Sequence, residues 1–444
     1  MKLLNLAFFV GLVLFGGAAV ADNQEQQKNM NLFYAPENIL TLEIAMDEAD
    51  WLKVKNAEPN GGCSKTYIGH RYDWVKAKAM DVQGSIEGKK YQYLGIAIKK
   101  KSACGSKDST KPSFNINLSK YNDNNDSKAK EEIGTTHLTL NNSKQDDSII
   151  KQCFGYHLFR EAGLAASRCN FASVYMNTEE GRTYLGIYVN VEPIKKNYLK
   201  NPANNLAHSD NGYLYEVDEH DFDMNGVIYN GYKGYSDVDN YIRVDYAMTA
   251  DTIQGGNNVW GIDSAFDRDL FMSYWAMEVF IQHWDGYTRN VKNAYAYNDT
   301  DIEAVDDSDE GFSLQNGSVA FKFLPWGIDQ IMQTPSCRQV YHCADVSSGL
   351  YNTPQGQTDI QDSINNLVDN FGKKETAIIV YLKLLGLSAQ KTLGNKTDPL
   401  TGATAKTIAQ GEESLENWFR DAISDGPIST TCCNYNSCSS TRCF

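Results

Sequence analysis

The amino-acid sequence predicts an α+β fold in two lobes, the first β-rich and the second mainly helical. Strand-like runs crowd residues 37–195, and long amphipathic segments occupy residues 196–424. The chain has 444 residues, 42% of them hydrophobic, with 26 Tyr, 18 Phe and 7 Trp; that supply builds a sizeable core and excludes a wholly disordered chain.

Residues 1–21 read as an export signal. Lys2 supplies a positive start, a short apolar core begins at Leu3, and Ala19-Val20-Ala21 gives the small-x-small pattern ahead of Asp22. Residues 22–36 are polar and read as a flexible lead-in. Ile39–Ile44 reads as a strand, and Met46–Trp51 opens a short helix with an Asp at its cap. Further strands are expected at Lys76–Val82, Tyr91–Lys99 and Phe114–Leu118, broken by glycines, with a long loop over Lys101–Thr110. Residues 120–132 are rich in Asn, Asp and Lys and read as an exposed loop.

From Asp147 to Ala162 the spacing is helical. Ile149, Ile150, Cys153, Phe154, His157 and Leu158 share a face, and Gly163 closes the element. Strands at Phe171–Met176 and Tyr184–Val191 follow, joined by a turn over Asn177–Arg182. Helices are expected over Asp267–Gln282, Thr358–Leu385 and Glu412–Ala422, and residues 425–444 form a Cys-rich tail.

A net charge of -15 argues against nucleic acid as a partner. No second segment reaches the ~20 apolar residues a transmembrane helix needs, so no anchor is expected after signal cleavage. Ten cysteines suit an oxidising compartment and are expected in structural disulfides, with Cys153–Cys169 and Cys337–Cys343 as local candidates and the connectivity left open. The rival is metal ligation by Cys337, His342 and Cys343, which lack a C-x2-C spacing. The expected location is secreted, extracellular or at the cell surface.

Several familiar chemistries are missing. There is no H-E-x-x-H helix and no G-x-S-x-G elbow. Gly84–Lys90 imitates a phosphate-binding loop but is one residue short and lacks the Ser or Thr after Lys, so it reads as a hairpin turn. What survives is His283-Trp284-Asp285-Gly286-Tyr287-Thr288-Arg289-Asn290 after an amphipathic helix, then a strand, Phe321–Trp326, that delivers Gly327-Ile328-Asp329. An Asp, an Asn five residues later and a strand-end Asp downstream follow the logic of phosphoryl transfer. The first Asp faces the acceptor hydroxyl, and the other two hold magnesium against the phosphates. On spacing alone, the alternative is that all three cap turns or helices.

The order of these motifs resembles the CotH family, the spore-coat-protein-H-like atypical protein kinases. The resemblance runs collinearly over residues 38–390. It rests on Ile39–Ile44 with Met46–Trp51, Leu94–Lys99, Lys111–Ile116, Leu158–Leu164, Gly186–Glu192, Trp284-Asp285, Asn290, Asn293 and Pro325–Asp329. It implies a two-lobed atypical protein-kinase-like fold that moves the γ-phosphate of ATP, with Mg2+, to Ser or Thr of exported or surface proteins. Carried onto this chain, it makes Asp285 the catalytic residue. It makes Asp329, with Asn290 or Asn293, the metal ligands, Lys111 the phosphate-pairing lysine, and Glu192 a nucleotide contact at the end of the last β-lobe strand. The family's P-W-D-x-D reads P-W-G-x-D here, with Gly327 in place of the first Asp. That departure keeps a second expectation open, an adhesin-like surface or secreted binding protein with weak catalysis or none.

The Ala19-Val20-Ala21 site predicts that exported protein begins near Asp22. N-terminal sequencing should return that residue; a chain still beginning at Met1 contradicts the reading.

Overall fold

A computed structural model describes residues 23–62, 71–86, 88–102, 105–204, 206, 213–217, 266–298, 321–332 and 339–424. The expected signal segment, the Cys-rich tail and the Cys337–Cys343 pairing lie outside the described residues or reach beyond them.

Seven strands close a barrel: β1 (Leu40–Ala45), β2 (Val75–Gln83), β3 (Lys90–Lys101), β4 (Ser113–Asn117), β5 (His137–Asn141), β6 (Cys169–Thr178) and β7 (Gly181–Val191), in the spatial order β1-β2-β3-β4-β5-β7-β6. β1 closes the ring by pairing parallel to β6, while the other pairs are antiparallel. Period-2 alternation fills the interior with Leu40, Leu42, Ile44, Met80, Ile96 and Ile116, among others. The look-alike of a phosphate-binding loop lies, as expected, at the β2–β3 turn.

β6 is buried on both faces, which explains its near-continuous apolar run. Ala172, Val174 and Met176 face the barrel core, whereas Cys169 and Phe171 face a second core shared with the helices. That second core joins helix α4 (Lys151–Glu161) to α6 (Arg268–Ile281), α9 (Pro354–Leu393) and α10 (Ala405–Ser424). A disulfide, Cys153–Cys169, ties α4 to the start of β6, as the sequence suggested. A smaller sheet, β10-β9-β8, comprises β8 (Tyr213–Val217), β9 (Ala294–Asn298) and β10 (Lys322–Pro325).

Two expectations are corrected and one strand is added. The lead-in is not flexible where it is described: helix α1 spans residues 23–33 and buries Met30 and Phe33 against the barrel. Gln26 donates to the Gly134 carbonyl and Gln27 to the Asn197 carbonyl, each at 2.8 Å, so its polar residues are anchors. The stretch expected as an exposed loop contains α3 (Asn124–Ile133), which buries Asn125, Ala129 and Ile133 at four-residue intervals. β5, which the sequence reading passed over, is short and paired on both edges by distant strands.

After α9, Gly394 ends the helix and a turn brings Asp398 back to the barrel. There the Asp398 carboxylate meets Lys111 Nζ at 2.7 Å, with both side chains fully buried. The same carboxylate accepts from the backbone N–H of Ile187, Leu400 and Thr401 and from the Thr401 hydroxyl. A buried charge pair is tolerable only when it is hydrogen-bonded this fully, and breaking it from one side leaves an uncompensated charge. Asp398→Ala should therefore cost about 3–5 kcal/mol of unfolding free energy. Adding Lys111→Met should recover part of that loss. Denaturant titration checks both; a cost under about 1 kcal/mol, as for an exposed pair, contradicts the assignment.

Candidate active site

Helix α6 delivers the site. Asp267 caps it by accepting from Leu270 N–H at 3.0 Å, and its apolar residues fill the helical core. One residue breaks that apolar character: Glu278 is buried in the last turns. Its carboxylate accepts from Tyr274 OH at 2.8 Å, Tyr287 N–H at 2.9 Å, Thr288 N–H at 2.8 Å and the Thr288 hydroxyl at 2.7 Å. Burial alone would raise the Glu278 carboxyl, but His283, 3.4 Å away, and the Thr288 hydrogen bonds hold it below the ordinary value. Glu278 thereby shapes the loop that follows. A Cβ on Gly286 would lie 2.5 Å from Glu278 Oε1 and 2.7 Å from His283 Nδ1, so only glycine admits this approach.

The loop carries Asp285. Asn290 Nδ2 donates to Asp285 Oδ1 at 2.9 Å, and Gln330 Nε2 donates to Oδ2 at 3.1 Å. Both carboxylate oxygens are thus oriented by neutral amides on a half-buried residue. Asn293 Nδ2 reaches the Asp285 carbonyl at 3.2 Å, and Trp284 N–H donates to the Gln330 carbonyl at 3.1 Å. These bonds stitch the 283–293 loop to the turn after β10, which holds Asp329.

Asp329 is half-buried beside the fully buried Ile328. Burial pushes its carboxyl up to about 6. Lys101 opposes that rise, Asp146 adds to it and His283 opposes it. Lys101 ends β3, donates to Asn141 Oδ1 at 2.9 Å and lies 5.7 Å from the Trp326 ring centroid. Asp146 lies in the turn ahead of α4, where its carboxylate accepts from Lys151 N–H and from the N–H and hydroxyl of Ser148.

The structure therefore gathers Asp285, Asn290, Asn293 and Asp329, the set picked out in the sequence, into two adjoining turns. Lys111 and Glu192 are placed elsewhere. Lys111 is committed to Asp398 and lies over the Tyr188 ring. Glu192 is fully buried and clamps Arg168, accepting from its Nη2 at 2.6 Å and its Nε at 2.9 Å. Arg168 in turn holds Gln27 and Asn31 of α1, so Glu192 anchors that helix. The cation whose charge reaches Asp329 is Lys101, which the sequence reading left in a loop. Its signal was the run Lys99–Lys101 at a strand end. Glu278 also had a signal, an acid inside the apolar run Tyr274–Ile281.

The oxygen atoms offered by Asp285, Asp329, Asn290 and Asn293 are hard donors that suit magnesium. Among the described residues, no three His, Cys, Asp or Glu side chains converge to hold a metal. A magnesium ion here would take one or two carboxylates and complete its shell with water and phosphate oxygens, its usual arrangement in nucleotide sites.

The raised Asp329 carboxyl has a consequence for stability. Between the unfolded value, about 3.9, and the folded value the native state holds more protons, so stability falls as pH rises through that window. Asp329→Asn removes a desolvated charge. Without nucleotide or divalent cation, the variant should melt above wild type at pH 8, and the gap should close by pH 4. Equal melting temperatures at pH 8 contradict the burial argument.

Comparison with known proteins identifies the family. A search of curated proteins gave no match. The family model described as CotH kinase protein matches residues 96–370, more than half of the 444-residue chain and inclusive of every residue of the two turns. The chain belongs to the CotH kinase family.

Proposed function

We propose that this protein is an ATP-dependent kinase that phosphorylates Ser or Thr of exported or surface proteins. The observation that carries the reading is the Asp285 carboxylate, oriented on both oxygens by Asn290 and Gln330, in a turn bonded to the one that bears Asp329. On this reading the barrel and the helical part serve as the two lobes of a kinase-like fold. Exported acceptors follow from the signal at residues 1–21 and the even cysteine count.

In the proposed reaction Asp285 accepts the proton of the acceptor hydroxyl as its oxygen attacks the γ-phosphorus and ADP leaves. Asn290 and Gln330 hold the carboxylate in the orientation that this transfer needs. Lys101 replaces Lys111 as the phosphate-pairing lysine, and Asp329 with Asn293 or Asn290 holds the cation. Bound magnesium supplies charge neutralisation on the phosphates. His283 and Glu278 keep the loop in place from beneath.

Gly327 favours a second reading, a binding protein that retains the family fold without catalysis. Nucleotide decides between them. On the kinase reading, magnesium-ATP at 100 times its dissociation constant raises unfolding free energy by about 2.7 kcal/mol.

Asp285→Asn should keep magnesium-ATP binding nearly unchanged by calorimetry yet lower phosphate transfer, read by mass spectrometry of acceptor or autophosphorylated chain, by at least ~100-fold. Lys101→Ala should weaken nucleotide binding instead. If Asp285→Asn changes neither quantity, the catalytic-loop reading fails; if wild type binds no nucleotide, the binding-protein reading replaces it.

A further inference from the structure

The sequence holds six Asn-x-Ser/Thr sequons, at Asn117, Asn125, Asn141, Asn298, Asn316 and Asn395, the acceptor pattern for N-linked sugar in exported chains. The fold separates them. Asn125 is buried in α3, where its Nδ2 donates to the Leu94 carbonyl at 2.9 Å and to the Leu118 carbonyl at 2.6 Å. Asn141 is buried at the end of β5; its Nδ2 donates to Gln152 Oε1 at 2.8 Å and its Oδ1 accepts from Lys101. Asn117 bridges β4 to β5 through His137 Nε2 at 3.0 Å, and its Oδ1 accepts from the N–H groups of Ser119 and Lys120. A sugar on any of these three nitrogens would displace bonds that hold the barrel. Asn298 ends β9, and Asn316 lies outside the described residues.

Asn395 differs. It lies in the turn between α9 and α10, directly after Gly394, and Asn395, Lys396 and Thr397 are all exposed. Among the described residues, no hydrogen bond engages its carboxamide. A Cβ added at Gly394 would meet nothing within 4 Å, so the turn faces open space. The turn is nevertheless fixed. Lys396 Nζ lies 5.3 Å from the Tyr184 ring centroid, and Asp398 is locked in the barrel against Lys111.

We infer that Asn395 is an N-glycosylation site and that Asn117, Asn125 and Asn141 stay bare in the folded protein. The donor is a lipid-pyrophosphate-linked oligosaccharide. The Asn395 carboxamide nitrogen bonds to the anomeric carbon of the sugar, and the bond from that carbon to the phosphate oxygen breaks. The lipid pyrophosphate leaves with the electron pair, and the amide proton passes to a base of the transferase. The assignment rests on the export reading of residues 1–21 and is independent of the kinase reading.

The full chain is expressed in eukaryotic secretory cells, once with its own residues 1–21 and once with the signal of another secreted protein in their place. Secreted protein is treated with peptide N-glycosidase, which leaves an aspartate wherever sugar was attached, and its peptides are mapped by mass spectrometry. Position 395 should be converted, and positions 117, 125 and 141 should not. Asn395→Gln and Thr397→Ala should abolish the conversion at 395, and Thr397→Ser should keep it. Asn395→Gln should melt with the deglycosylated wild type, because the side chain makes no contact that the fold needs. An unmodified Asn395 on chain exported by the borrowed signal overturns the site. Sugar at 117, 125 or 141 on protein that melts normally overturns the selection among sequons. Export with the borrowed signal alone contradicts the reading of residues 1–21, while conversion at 395 still upholds the site.

Discussion

The buried contact between Lys111 and Asp398 is the constraint on which the arrangement of the molecule rests. Lys111 belongs to the barrel and Asp398 to the turn between the two C-terminal helices, 287 residues later. A lysine in a dry interior needs a carboxylate with its remaining lone pairs filled, and the returning turn provides one. The barrel is therefore electrostatically complete only when the long helix α9 has docked on β6 and ended where it does. Ser173, whose hydroxyl donates to the Thr392 carbonyl, and Ser388, whose hydroxyl donates to the Pro36 carbonyl, fasten the same helix from either side.

That docking brings the site together. β3 comes from the barrel with Lys101, while α6 and the small sheet supply Asp285, Asn293 and Asp329. Their alignment is held by side-chain amides and by the buried Glu278 carboxylate. Glu278 organises the loop from below, and amides of Asn290, Asn293 and Gln330 organise it from above. Among the described residues, no ion pair within 4 Å engages the Asp285 or Asp329 carboxylate, which suits the proton and cation roles proposed for them.

Much of this was legible in the residues. The barrel strands announced themselves by period-2 alternation, and α6, α9 and α10 by apolar faces at helical spacing. The Asp285–Asn290 interval and the strand-end Asp329 pointed to the two turns that converge. What was not legible depended on partners far away in sequence. α1 looks like a polar leader because Gln26, Gln27 and Asn29 are matched to backbone carbonyls more than 100 residues distant. α3 carries only Ala129 and Ile133 as buried apolar residues, too few for a periodic signal. The choice between Lys101 and Lys111 needed the same knowledge. Both lie at strand ends, and only the β3–β4–β5 register, with the C-terminal turn in place, shows which one is buried against Asp398.

The most direct test of the account is a crystal structure of the full chain with magnesium and a non-hydrolysable ATP analogue. The account predicts the triphosphate between Lys101 and the 283–293 loop, the cation on Asp329, and Asp285 facing the terminal phosphate. A nucleotide bound elsewhere, with Asp329 and Lys101 touching neither phosphate nor metal, would contradict it.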